Sequence, residues 1–494
     1  MHLRPLNTLH ANQYPELDSF IKTIQNLTGE NLFFRPDERI FLSRSPGRLD
    51  LMGGNDDYTG GLVFEVTIQE ATRVAVQPRG DQQIKISNPQ VGELGWNGLV
   101  EYNLWDFGKS GEIRPLGEIH ALLQASAAQE WVSYVVGGIY LLMKDFPGQI
   151  NTGLSIFIES DVPIGKGVSS SAALEVASLK AIAAAYGIHL QGVDLAIKCQ
   201  WIENAICRSA SGVMDQITVV FGERDHFVPL LCQPCLPEPL VPLPAPLYLW
   251  GIDSGVRHQV AGIEYEAARA ATFMGYQMIC QEAGLELALD ETGPLTRWID
   301  PRWNGYLANL SPAEYRAAFE AHLPESIRGA DFSAGFPIHA DPYTSIYPDV
   351  IYPVQACARY AVEENHRVQL FVDLLTGHNE HLPERTLGLL GELMFQSHFA
   401  YTECGLGSEA TDLLVELVRA EGPANGLYGA KITGGGAGGT VAVLGKRGNA
   451  AVSAFRRVIE KYHRETGYMP YIFEGSSPGA DSFGVIEIDP PATR

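Results

Sequence analysis

One stretch limits this chain more than any other: Pro163-Ile164-Gly165-Lys166-Gly167-Val168-Ser169-Ser170-Ser171-Ala172-Ala173. The apolar run Leu154–Glu159 leads into it and reads as a short strand. The Ala- and Leu-rich run Ser169–Tyr186 follows it and reads as a helix, with Gly187 just past its end. Glycines let backbone approach a bulky anion without Cβ clashes. A helix start offers free N–H groups and the positive end of the helix dipole. Three consecutive Ser hydroxyls add donors and a hard oxygen suited to Mg2+, and Lys166 adds a cation. The pattern is not the GxxxxGK[ST] loop. It predicts a phosphate cradle; the competing reading is a tight strand–helix turn with a Ser cap.

Three further segments bear on chemistry. Thr433-Gly434-Gly435-Gly436-Ala437-Gly438-Gly439-Thr440 precedes an apolar strand. So many glycines imply close packing against a ligand or another backbone, or else a flexible hairpin turn. Ser45-Pro46-Gly47 reads as a turn after the apolar run that opens at Arg39, and Arg48 through Tyr58 then collects Arg, Asn and several carboxylates. That mixture suits a polyol, because a carboxylate can accept two hydroxyls at once; the alternative is a solvated Asx turn. Glu203 lies late in a helical pattern over Leu195–Cys207, and Asp215 follows the turn Ser211-Gly212-Val213-Met214. One carboxylate beside Mg2+ and another beside an acceptor hydroxyl would serve metal binding and proton removal.

The bulk numbers set the frame. A chain of 494 residues with 46% apolar content holds two or three compact domains. Six prolines between Pro234 and Pro246 mark a stiff crossing, which divides the chain into 1–240 and 247–494. Net charge −23, from 35 basic and 58 acidic side chains, argues against a nucleic-acid partner. The longest apolar run, near Tyr134–Met143, is too short for a membrane span, and the N-terminus has no signal-type apolar core. Seven scattered cysteines read as reduced thiols in a cytoplasmic protein, and Cys232–Cys235 lacks the second pair a zinc ribbon needs. Helices are also expected over Glu130–Met143, Ile263–Glu282, Gln355–Glu364, Leu387–Tyr401 and Ser408–Ala420, while Asp290–Tyr347 shows little regular pattern.

Taken in order, PGR, PxGxGxxSSAA and GGGxGG resemble the GHMP kinase superfamily. The segment SPGRLDLMGGNDDYTGGLV is similar to the galactokinase signature PGRxNLxGEHxDYxxG. The segments Glu203–Gln216, Asp253–His258 and Glu264-Tyr265 also resemble galactokinase motifs. Galactokinases carry Glu-His where this chain has Gly54-Asn55, and in that family the Glu reads the hexose hydroxymethyl oxygen. L-arabinokinases resemble the chain better, through the Gly-Gly before Asp-Tyr, GKGVSSSAA, GIDSGxRH and Cys404–Ser408.

The resemblance implies an α+β, two-domain fold with mixed sheets and the active site in the cleft between domains. It implies ATP and Mg2+ as co-substrate and metal, a small-molecule sugar as partner, no membrane, and a monomer or small homo-oligomer. Phosphates would lie on Gly165, Lys166, Gly167, Val168, Ser169, Ser170, Ser171 and Ala172; the Lys166 contact is inferred from its charge, since galactokinases usually lack it. Ser171 and Glu203 would hold Mg2+. Asp215 would take the anomeric proton, with Arg48 stabilising charge. Asn55, Asp57, Tyr58, Asp215, Tyr265 and Gly435 would contact the sugar. The expected activity is phosphorylation of an anomeric hydroxyl, with L-arabinose as acceptor. Galactose or a uronic acid are the alternatives, and a non-catalytic ATP- and sugar-binding sensor is a third reading.

Overall fold

The computed structural model describes residues 2–4, 14, 16–109, 111–124, 127–257, 263–292, 296–377 and 382–490. Two sheets organise them. The larger runs His2–Arg4, Ile486–Asp489, Ile40–Met52, Leu62–Pro78, Leu154–Ser160, Gln83–Ser87, Leu99–Asn103. His226–Leu231 pairs with the first residues of Leu62–Pro78. Gln83–Ser87 lies parallel to Leu154–Ser160, so the sheet is mixed. The smaller sheet runs Leu427–Ile432, Thr440–Lys446, Leu247–Asp253, Ile472–Glu474, all antiparallel. Between the sheets Leu49, Leu51 and Phe64 join one apolar cluster with Leu390, Met394 and Phe473.

The expected Ser45-Pro46-Gly47 turn is instead the middle of one strand, Ile40–Met52, buried along nearly its whole length. A register shift between Pro46 and Arg48 marks a bulge. Gly47 is required there, because a Cβ would lie 2.6 Å from the Val168 carbonyl oxygen. The bulge presses the strand onto the loop after Pro163, and the Arg48 N–H donates to that carbonyl at 3.1 Å.

The strand expected at 154–159 and the helices expected at 169–186 and 263–282 are present as Leu154–Ser160, Ser170–Ala185 and Ile263–Glu282. Ser133–Asp145 forms the expected buried helix, with Gly137 and Gly138 lying against Ile202 and Leu179. The helix Gly192–Trp201 widens into a π turn over Ile202–Ile206, a geometry that recurs at functional sites, and Glu203 lies in it. Two later helices are longer than their sequence signals, Val354–Leu375 and Glu384–Glu403, while Glu409–Glu421 matches the length expected for Ser408–Ala420. In the proline run, Leu236–Pro237 and Val241–Pro242 pair as short edge strands with His226–Leu231, where a missing N–H costs nothing.

Described residues of the poorly patterned stretch Asp290–Tyr347 contribute to one apolar core. Trp303, Leu307, Tyr315, Phe319 and Phe332 are buried in a cluster with Tyr276 and Tyr352. The Asp300 carboxylate accepts from the N–H groups of Arg302, Trp303 and Gly305 at 2.8, 2.7 and 3.0 Å, which fixes a turn no hydrophobic period reveals. All seven cysteines are unpaired. Among the described residues no helix is long and apolar enough to cross a membrane.

Candidate active site

The loop after Pro163 turns through three left-handed residues, Gly165 (φ 75°), Gly167 (φ 69°) and Ser169 (φ 60°). Ser169 does not cap the helix that follows. Its hydroxyl donates to Asp215 Oδ2 at 2.5 Å. The first helical N–H groups, on Ser170, Ser171 and Ala172, therefore have no side-chain cap and stand open to an anion. The second glycine segment, which joins Leu427–Ile432 to Thr440–Lys446, packs on this loop backbone to backbone. A Cβ at Gly434 would lie 2.8 Å from Gly167 O, and one at Gly439 would lie 2.9 Å from Lys166 O. Thr440 Oγ1 donates to Lys166 O at 2.7 Å. The Lys166 ammonium pairs at 2.7 Å with Asp253, which is buried, and so latches the loop to the smaller sheet.

Arg48 ties the loop to Asp215. Its Nη1 donates to Gly167 O at 2.8 Å, and its Nη2 and Nε donate to Asp215 Oδ1 at 2.6 and 2.9 Å. Nε also lies 2.7 Å from Glu65 Oε1. Burial alone would lower the Arg48 pKa, but the carboxylates of Asp215 and Glu65 outweigh it and raise the value. Asp215 keeps 23% of its side chain exposed while Arg48 keeps 3%, so the carboxylate stays open to solvent and the guanidinium lies behind it.

Glu203 and Ser171 meet, as the metal reading requires: Ser171 hydrogen-bonds the Glu203 carboxylate. Ser211 Oγ and Gln216 Nε2 donate to Glu203 Oε2 at 2.9 and 2.7 Å. Burial, followed by the charge of Asp215, raises the Glu203 pKa, a cost that a cation would relieve. Among the described residues no three His, Cys, Asp or Glu side chains cluster as metal ligands. A single carboxylate with hydroxyls and substrate phosphates is nonetheless a donor set that suits Mg2+.

The expected acceptor residues gather on the same side. Asp57 lies against Gly212, where a Cβ would collide with its carboxylate. Burial first, then the nearby Asp215, pushes the Asp57 pKa up to about 6. Tyr58 and Tyr265 meet edge to face with ring centroids 6.4 Å apart. Asn55, in the left-handed region at φ 57°, donates from Nδ2 to Gly435 O at 3.4 Å. A side chain at Gly54 would collide with Asp50 Oδ2 and the Tyr401 hydroxyl, so the loop is built around the glycine. His258 lies outside the described residues.

Three family signatures coincide with these segments. Residues 133–223 match the GHMP kinases N terminal domain, 379–464 the GHMP kinases C terminal region, and 30–78 the galactokinase galactose-binding signature. The chain belongs to the GHMP kinases. It is 37% identical to an L-arabinokinase of Arabidopsis thaliana over 98% of its own length and 50% of that protein's, so it spans half the length of that relative. It is 29% identical to a galactokinase of Chloroflexus aurantiacus, over 84% of this chain and 86% of the relative. The solved Lactococcus lactis galactokinase complexed with galactose shares the fold at TM-score 0.70 and 22% identity, across 96% of this chain and 100% of that one. Methanococcus jannaschii mevalonate kinase does so at TM-score 0.51 and 13% identity, across 88% and 98%.

Several residues of this GHMP kinase site escaped the sequence reading. Glu65, the second partner of Arg48, is fully buried and also accepts from Thr218 Oγ1 at 2.5 Å. Its signal is a lone acid inside the apolar run Leu62–Ile68. Lys431 pairs with Asp50 at 2.8 Å with both side chains fully buried. Arg269 makes a two-bond pair with Asp341 at 2.8 and 3.0 Å, and these residues stand too far apart in sequence for any local pattern to join them.

Proposed function

We propose that this GHMP kinase transfers the γ-phosphoryl group of ATP to the anomeric hydroxyl of a monosaccharide, with L-arabinose as acceptor. The observation that carries the reading is the direct tether between cradle and carboxylate: Ser169 and Arg48 each touch both the glycine loop and Asp215. The acceptor oxygen attacks the γ-phosphorus, the bond to the bridging oxygen of ADP breaks, and the acceptor proton passes to Asp215. The open N–H groups of Ser170, Ser171 and Ala172 hold the phosphates. Arg48 keeps Asp215 oriented and offsets charge. Ser171 and Glu203 would hold Mg2+, which when bound neutralises phosphate charge. Asp57, Asn55, Tyr58, Tyr265 and Gly435 would position the sugar, with residues 1–240, joined by the strand Ile486–Asp489, on one side of the cleft and the rest of 247–494 on the other.

The crowding at Gly54 favours L-arabinopyranose over D-galactose, since no side chain there can read a hydroxymethyl group. The likeness to an L-arabinokinase supports the same choice. ADP release measured across L-arabinose, D-galactose, D-galacturonate and D-glucuronate tests the reading, with phosphorus NMR locating the new phosphate. L-arabinose 1-phosphate as the main product is expected. No ADP release from any of the four sugars refutes it.

A further inference from the structure

A cavity of about 130 Å3 adjoins the acceptor residues. Asp57, Tyr58, Gly212 and Gln200 line it together with Trp298, Tyr306 and Tyr343 of the region 285–347. Two of its side chains are buried with a polar atom that meets no protein partner. Gln200 is 3% exposed and leaves Oε1 unmatched; Tyr306 is 6% exposed and leaves its hydroxyl unmatched. Buried polar atoms are normally satisfied, so a pair of orphans lining one cavity calls for a ligand that completes them.

The cations lining this cavity are already matched. Arg269 bonds twice to Asp341 and donates to Ala210 O at 2.8 Å. Its guanidinium also lies over the Tyr58 and Tyr343 rings, 4.8 and 5.4 Å from their centroids. Arg297 sits 3.9 Å from Asp290 and donates to Asn304 O at 3.0 Å. An anionic ligand would find no uncommitted cation among the described lining residues. A neutral, hydroxyl-bearing ligand would find an acceptor at Gln200, a donor at Tyr306, and the aromatic walls that small-molecule sites favour.

We propose that Gln200 Oε1 and the Tyr306 hydroxyl bind hydroxyls of a neutral acceptor sugar on its side away from the reacting carbon. The region 285–347 thereby takes part in choosing the acceptor. This rests on the kinase reading above and extends it from the reacting end of the sugar to the far end.

Tyr306→Phe and Gln200→Met test it, with steady-state ADP release on L-arabinose, D-galactose, their monodeoxy analogues and D-galacturonate. Each variant should lose roughly three- to tenfold in kcat/KM for the neutral sugar, the worth of one hydrogen bond, with the KM for ATP unchanged. The loss should vanish for the monodeoxy analogue that lacks the contacted hydroxyl. Because the Tyr306 hydroxyl has no protein partner, Tyr306→Phe should melt no lower than the parent, which separates a binding role from a structural one. Variants that stay within about twofold of the parent on every sugar overturn this inference and leave the kinase reading standing. D-galacturonate turned over as well as the neutral sugars overturns it too. A parent that releases no ADP with any sugar refutes both.

Discussion

Replacing Arg48 with Lys probes the tether between the cradle and the acceptor carboxylate. Arg48 is buried and makes three directed bonds, two to Asp215 Oδ1 and one to Gly167 O, besides its contact with Glu65. An ammonium keeps the charge but lacks the planar fork, so it cannot hold Asp215, Gly167 O and Glu65 together. Two charge-assisted bonds lost at ~1.5–3 kcal/mol each predict a destabilisation of about 3–6 kcal/mol, in line with the cost of breaking a buried pair. Urea unfolding measures it, together with ADP release at saturating substrates. With Asp215 released from its orientation, kcat should fall on the order of a hundredfold or more. Adding Glu65→Gln should recover part of the stability, because lysine then has one carboxylate fewer to satisfy. A variant within about 1 kcal/mol of the parent and within about threefold in kcat would refute the role given to this side chain.

Other outcomes follow from the same geometry. Burial and Asp215 raise Asp57 to about 6 from the ordinary 3.8, so its ionisation costs the fold nothing below that window and most above it; a sugar bound through two hydroxyls to the carboxylate should show its KM falling as pH rises through about 6, and Asp57→Asn should flatten that limb. Glu203→Gln should raise the Mg2+ concentration needed for half-maximal activity by roughly tenfold or more while leaving the KM for sugar near the parent's, read from ADP release against a magnesium titration.

The architecture was legible wherever a local rule carried the signal. The glycines and serines after Pro163 announce a strand, a tight loop and a helix start, and all three are present. Arg48, Asp57, Glu203 and Asp215 could be named because they sit inside short motifs. Ser45-Pro46-Gly47 misled because proline and glycine usually punctuate; here they form a bulge within a strand, and the reason lies 121 positions away at Val168, whose carbonyl oxygen leaves no room for a Cβ at Gly47. Glu65 and Lys431 were missed because a buried charge is recognised by its partner, and their partners, Arg48 and Asp50, come from other strands. The region 285–347 stayed opaque because turns such as the one around Asp300 are held by side chain to backbone bonds and leave no periodicity.

Asp215→Asn gives the most direct trial of phosphoryl transfer across the Pro163 loop and its facing carboxylate. The isosteric amide keeps one oxygen for Arg48, replaces the oxygen that accepts from Ser169 with an NH2 group, and cannot take the acceptor proton. Nucleotide affinity, read by titrating ATP with Mg2+, should stay within a few-fold of the parent while ADP release with L-arabinose falls on the order of a hundredfold to ten-thousandfold. Turnover close to the parent's, or a parent protein that does not bind ATP at any magnesium concentration, would contradict the account.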